Sequence, residues 1–430
     1  MSPIRLLLAA GAAALTLSHL SLASTTATAD RYWPQWRGPD ATGASATANP
    51  PVEWSETKNV RWKIALPGRG ASTPVVWGDR LYVSTAIPSD GSGDRARHRF
   101  VVRAINRKDG TTAWEHVVRE EAPHEGTHRE FGTMASPSAV TDGEHVVASF
   151  ESRGIFAFDM SGALVWQNDL GDKRMRNEFG EGSSPALYKD RLIVVWDHQG
   201  ESFIAALDKA TGKELWRTAR DEIDSWATPL VVEHGGRAQA ITSGMNRVRA
   251  YDVQTGAILW ETAGLTMNPI PSPVTDGNGL VFLTSGFRGN SLKAIRLDGA
   301  KGDITNTPNV VWTFDRDTPY VPSPLLYRGI LYFLKSNNGL LSAFDAVTGD
   351  PHYQVHRLDA VPSVFASPVA ASGRIYILGQ EGTAVVLKHG PAVGVLATNT
   401  LDDRFDASPA LVDREMYLRG YENLYCIAER

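Results

Sequence analysis

The segment His124-Glu125-Gly126-Thr127-His128 has the H-E-x-x-H spacing. On an α-helix that spacing puts two imidazoles on one face to hold zinc, with the glutamate as general base. The surrounding residues argue against it. Gly126 and Thr127 are weak helix formers, and residues 120–131 carry no apolar stripe to seat a helix, so the segment reads as a solvated loop without a metal. Asp221-Glu222 and Asp402-Asp403 pair carboxylates, but adjacent residues on an extended chain point opposite ways and do not easily share a proton. The single cysteine, Cys426, rules out a disulfide framework, a thiolate zinc site and any mechanism needing two adjacent thiols. No glycine-rich phosphate loop and no Gly-x-Ser-x-Gly elbow is present.

What remains is a set suited to binding. Trp226 and Phe405 each stand just ahead of a Thr/Ser-Pro step that opens a strand and are expected close to a central channel, and Arg176, Asn246, Arg247, Arg288, Lys335, Asn337, Arg404 and Asp406 lie in polar segments. Donors converging around an aromatic surface suit a small ligand or an anionic tail, provided that one face of the fold gathers them. The opposing expectation is that these charges pair with one another across neighbouring elements.

The chain of 430 residues is 42% hydrophobic and 21% charged, a globular composition. With 43 basic and 48 acidic side chains its net charge is −5, so no basic field for nucleic acid exists. Arg5, an apolar run over Leu6–Leu22 and Ala27-Thr28-Ala29 read as a secretory leader spanning 1–29, predicting an exported, periplasmic or extracellular protein with no transmembrane segment in the mature chain. Residues 30–58, with Trp33-Pro34-Gln35-Trp36-Arg37-Gly38-Pro39, read as an N-terminal extension whose tryptophans pack on a neighbouring surface.

From residue 59 to 430 one unit recurs eight times. Ser/Thr-Pro followed by an apolar run appears at Pro74, Pro137, Pro185, Pro229, Pro273, Pro324, Pro368 and Pro409, with most intervals in the forties. Each unit has short strands joined by polar turns, a third strand with a small central residue such as Ala206, and a fourth strand with tryptophan, such as Trp216. The expected fold is all-β, an eight-bladed β-propeller of four-stranded antiparallel blades. The last unit lacks a fourth strand after Cys426, and residues 59–66 have that strand's pattern with Trp62 in place, so an N-terminal strand closes the ring. Cys426 then fills the small-residue slot as packing. The blade-junction face carries the longer, charged loops and is the candidate binding face.

The pattern Ala-x-Asp-x-x-Thr-Gly-x-x-x-Trp, from Ala206 to Trp216 and again from Ala250 to Trp260, resembles the tryptophan-docking repeat of quinoprotein dehydrogenases. The chain is similar to the PQQ-binding-like β-propeller repeat family, which also includes the propeller lipoprotein of the outer-membrane protein assembly machinery. The resemblance covers residues 59–430 and is specific for the fold; Asp and Thr cap the turn, Gly supplies φ > 0 and Trp packs blade on blade. Enzymes of that kind cover the quinone with a disulfide of adjacent cysteines, which this chain cannot form, and it has no Cys-x-x-Cys-His haem attachment. The lipoprotein's anchoring cysteine is missing too. The expectation is an exported, non-enzymatic binding or scaffolding propeller without a cofactor, its partner an envelope protein, a glycan or a small ligand. The alternative is a PQQ-dependent oxidoreductase, holding PQQ with calcium, or a carbohydrate-active propeller enzyme.

Overall fold

A computed structural model describes residues 29–91, 93 and 95–429. The leader read at 1–29 lies, but for Ala29, outside the described residues, among which no helix is long and apolar enough to cross a membrane. Eight antiparallel sheets of four core strands follow one another around a central channel, as expected of an eight-bladed β-propeller. Blade 3 shows the unit: Ala186–Tyr188 is innermost, then Arg191–Trp196, Phe203–Asp208 and Glu214–Ala219. Across it Ala186 faces Ile193, Ile193 faces Ala206, and Ala206 faces Trp216.

That pairing recurs around the ring and explains the repeat, with Tyr353 in the tryptophan's place in blade 6 and Val386 facing Ala397 in blade 7. Ala104, Ala157, Ala206, Ala250, Ala294 and Ala343 are wholly buried, and a small side chain there lets neighbouring sheets approach. The tryptophan opposite reaches the next blade. Trp166 Nε1 donates to Lys209 O (2.7 Å), Trp216 Nε1 to Val253 O (2.9 Å) and Trp312 Nε1 to Ala346 O (3.1 Å). Gly212 lies beneath the Trp166 ring at φ 71°, and a Cβ there would stand 2.5 Å from the indole, so both the backbone angle and the close approach require glycine.

Val60–Ala65 pairs antiparallel with Asn423–Ala428, Trp62 opposite Cys426, and supplies the missing outer strand of blade 8. Arg107 of blade 1 clamps the junction, holding Glu415 at 2.8 Å and Asp413 at 3.0 Å, while Arg61 also pairs with Glu415. Burial pushes the Cys426 thiol up to about 12, consistent with a packing residue.

Two readings of the repeat need adjustment, and the long interval from Pro273 to Pro324 has a structural cause. In blade 2, Val140 faces Val147, which faces Ala157, so Ser138 rather than Ser136 occupies the slot held by Ser184 in blade 3; the Ser-Pro step at Pro137 is displaced by two residues. The long fifth interval arises because a segment between the third and fourth strands of blade 5 reaches back, laying Gly302–Asp303 parallel against the outer strand of blade 4. Phe405 is not at a channel rim: it is wholly buried, 5.8 Å from the Tyr425 ring.

Residues 30–58 form a strap across the turn face. Trp33 is fully buried and pairs with Val76 of blade 1 through both backbone bonds (3.1 and 2.8 Å), and Thr141 N of blade 2 donates to Pro34 O (2.8 Å). Arg37 reaches Pro324 O and Pro368 O, each at 2.7 Å, beneath blades 6 and 7. Ala44–Ser45 then runs parallel to Val369–Ala371, and Trp54 stacks on Tyr376.

Candidate functional site

Two residues before the first paired row of each innermost strand stands a hydroxyl: Thr73, Ser138, Ser184, Thr228, Ser272, Ser323, Ser367 and Ser408. Seven of the eight blade junctions are linked through them. Thr73 N donates to Ser138 Oγ (2.9 Å), Ser138 N to Ser184 Oγ (2.9 Å), Ser184 N to Thr228 Oγ1 (3.1 Å), and the series continues to Ser367 N and Ser408 Oγ (2.9 Å). The hydroxyls thus form a belt at the channel.

Alternation along the chain puts the residue two places earlier on the same side. Those eight residues are Ala71, Ser136, Gly182, Trp226, Ile270, Val321, Phe365 and Asp406, and all of them line a cavity of about 250 Å³. The same alternation explains Phe405: one residue out of phase with Asp406, it points into blade 8.

Two segments outside the repeat close this cavity into a cup. Trp36 of the strap forms its floor, its Nε1 donating to Ser272 Oγ at 3.0 Å. The segment that follows the outer strand of blade 1, Thr112–Glu121, on the way to blade 2 forms a partial roof. Phe131 meets Phe365, from the junction of blades 6 and 7, with ring centroids 4.3 Å apart; His128 stacks on Phe131 at 4.9 Å and lies 5.2 Å from Phe179. Trp226 is fixed in the wall by Nε1 donating to Gly180 O (2.7 Å). Tyr320 stands opposite Phe287 at 4.9 Å.

Among the described residues Glu181 and Asp406 are the carboxylates of the lining, and no lysine or arginine joins them. Both are already engaged. Glu181 accepts from Ser152 N (2.9 Å) and Arg153 Nη1 (2.7 Å); Asp406 accepts from Gln380 Nε2 (2.8 Å) and the Tyr421 hydroxyl. Burial raises the Asp406 carboxyl above the usual carboxylate range despite these donors.

Behind Glu181, Lys173 Nζ holds Glu151 Oε1 at 2.5 Å in a wholly buried pair. Burial pushes the Glu151 carboxyl up to about 7, against the pull of Lys173. The folded chain therefore keeps a proton that the unfolded chain, with an ordinary glutamate near about 4.3, has already released. From this group stability falls as pH rises from about 4.3 to about 7, then levels off. In Glu151→Gln that slope is absent, so the variant's melting temperature relative to wild type rises between about pH 5 and about pH 8. An unchanged difference at both pH values contradicts the assignment.

Phe405 apart, the nine other expected site residues separate into two groups. Trp226, Asn337 and Asp406 line the cup. Arg176 is held by Asp224 (3.0 Å), Arg247 by Asp303 (3.1 Å) and Lys335 by Asp317 (2.7 Å). Asn246 N donates to Glu222 (3.0 Å), Arg288 lies over the Phe287 ring, and Arg404 lies over the Tyr421 ring that braces Asp406. The H-E-x-x-H residues diverge: His124 Nε2 meets Lys173 O (2.6 Å), Glu125 accepts from Met175 N (2.8 Å), and His128 joins the cup. Sequence reasoning missed Trp36, His128, Phe131, Tyr320 and Phe365. For Phe365 the signal was its place two residues before Ser367.

A family model described as outer membrane protein assembly factor BamB matches residues 42–201, 155–310 and 200–427. The chain is 22% identical over 317 residues to the outer membrane protein assembly factor BamB of Yersinia pestis, covering 74% of this chain and 66% of that one. It is 22% identical over 274 residues to a polyvinylalcohol dehydrogenase of a Pseudomonas species, covering 53% of this chain and 40% of the relative. Among solved structures, BamB from Moraxella catarrhalis superposes with a TM-score of 0.58 at 15% identity, covering 86% of this chain and 97% of that one. The quinohemoprotein alcohol dehydrogenase of Comamonas testosteroni gives 0.66 at 13% identity, covering 96% and 83%. At these identities the structural likeness shows the fold alone.

Proposed function

The chain belongs to the β-propeller family whose model is described as outer membrane protein assembly factor BamB, and from that premise we propose that it is an exported binding or scaffolding protein of the cell envelope, acting without catalysis through the cup on its blade-junction face. The observation that carries this reading is the cup itself. Every blade contributes a residue to it, its walls are aromatic, and a segment outside the repeat closes its floor. Its two carboxylates are bound by donors of the protein, so neither stands as an available general base. Aromatic walls with a few fixed polar groups suit recognition.

An oxidoreductase using PQQ with calcium is the second reading, prompted by the dehydrogenases among the relatives. The donor set does not fit that group. A quinone tricarboxylate brings several negative charges to a lining without lysine or arginine, and calcium would have to compete for carboxylates already bonded to Arg153, Ser152, Gln380 and Tyr421. Cys426, buried in blade 8, has no adjacent cysteine to form a covering disulfide. Purified protein incubated with PQQ and calcium is expected to gain no quinone absorbance and to give no dye-linked alcohol oxidation above background. Nanomolar PQQ affinity would overturn this.

The binding reading is tested by substituting Trp226 and Phe365 with alanine separately and following partner or ligand retention beside thermal melting. Loss of retention with the fold intact supports it; stability loss with retention unchanged leaves both residues as structure.

A further inference from the structure

The chemistry of the cup narrows what it takes, and we propose that it binds a single uncharged sugar ring at the end of a glycan. This rests on the reading of the cup as the binding site. Charge is the first constraint. The lining offers no lysine or arginine to an anion, and an ammonium group would have to displace Arg153 from Glu181 or Tyr421 from Asp406.

The second constraint separates a sugar from an aliphatic chain or an aromatic side chain. Ser138, Ser184, Ser323 and Ser367 line the cup, and each uses its oxygen to accept the backbone N–H of the preceding blade. Among the described residues none of these four hydroxyls donates its own hydrogen, and the Asn337 side chain, whose Oδ1 accepts from Val321 N (2.9 Å), has its amide hydrogens uncommitted. A hydrocarbon ligand would bury those donors unpaired, at about 1–3 kcal/mol each. A sugar brings a hydroxyl acceptor on nearly every ring carbon and two C–H faces for Trp226 and Phe365.

Shape supplies the third constraint. A cavity of about 250 Å³ is small for a ligand site and has room for one ring. With Trp36 across the floor a polymer cannot thread the channel, so the ring must be terminal.

The test is saturation-transfer NMR on the full chain with the methyl glycosides of glucose, galactose, mannose and N-acetylglucosamine, set against glucuronate, glucosamine and phenol. The expected result is transfer to at least one neutral glycoside, weakened about tenfold in Trp226→Ala and kept in Trp226→Phe. Transfer to none of the neutral glycosides overturns the inference. So does a charged sugar or phenol that binds as well as the neutral rings and loses its signal in Trp226→Ala, and in that case the cup stands as a binding site while the sugar assignment fails.

Discussion

A chain lacking residues 59–66 melts roughly 10 °C below the full one, and over a broader range, because the ring is left with an open edge on blade 8. The lost strand carries Val60 and Trp62, both 8% exposed, and the Trp62 Nε1 bond to Arg107 O at 2.8 Å that ties blade 8 to blade 1. Removing a buried tryptophan alone costs about 3–5 kcal/mol, so Trp62→Ala should reproduce much of the loss without the deletion. Arg61 leaves with the strand, and the outer edge of Asn423–Ala428 stands unpaired. Calorimetry on both variants decides the matter; a deletion that melts with the wild type shows that ring closure does not depend on this strand.

The strap is the second place where a small change has a large effect. Trp33→Ala should destabilise by about 3–5 kcal/mol, since the indole is fully buried between the strap and blade 1. The consequence reaches the cup. Trp33 holds the chain entering Trp36 and Arg37, and Arg37 is a buried guanidinium fixed by the carbonyls of Pro324 and Pro368, with no carboxylate among the described residues paired to it. Its desolvation is tolerated only while those bonds form. Once the strap lifts, the floor opens. Limited proteolysis should therefore cut within residues 30–58 in Trp33→Ala and leave the wild type intact, while Trp36→Ala, only half-buried, keeps the strap and loses the floor. A Trp33→Ala protein as stable and protease-resistant as wild type would contradict this account.

The propeller was legible in the sequence because a blade is a local object. The small residue on the third strand and the tryptophan on the fourth are fixed by contacts with the adjoining repeat, so they recur with the period. The missing outer strand of blade 8 was legible for the same reason: Trp62 fits a slot that its neighbours define. The cup was only partly legible. Its upper ring is periodic, and counting two residues back from each hydroxyl yields Trp226, Phe365 and Asp406; Phe405, which also just precedes its strand, stands one residue out of that count, and aligning on Pro137 displaced blade 2. Trp36, His128 and Phe131 come from segments outside the repeat, and no period announces where such a segment lands. The charged loops at Arg176, Arg247 and Lys335 drew notice because they are conspicuous in sequence, yet each reaches an acidic partner on a neighbouring segment.

The central proposal is that this protein engages an envelope partner through its blade-junction face. Hydrogen exchange of the full chain, with and without an envelope fraction of its source cell, reads that directly. Exchange is expected to slow at residues 126–134, 319–323 and 363–367 around the mouth, and to stay unchanged at the turns of the opposite face such as 209–213. Protection confined to the turn face or to the outer strands, with the mouth unaffected, would contradict the account.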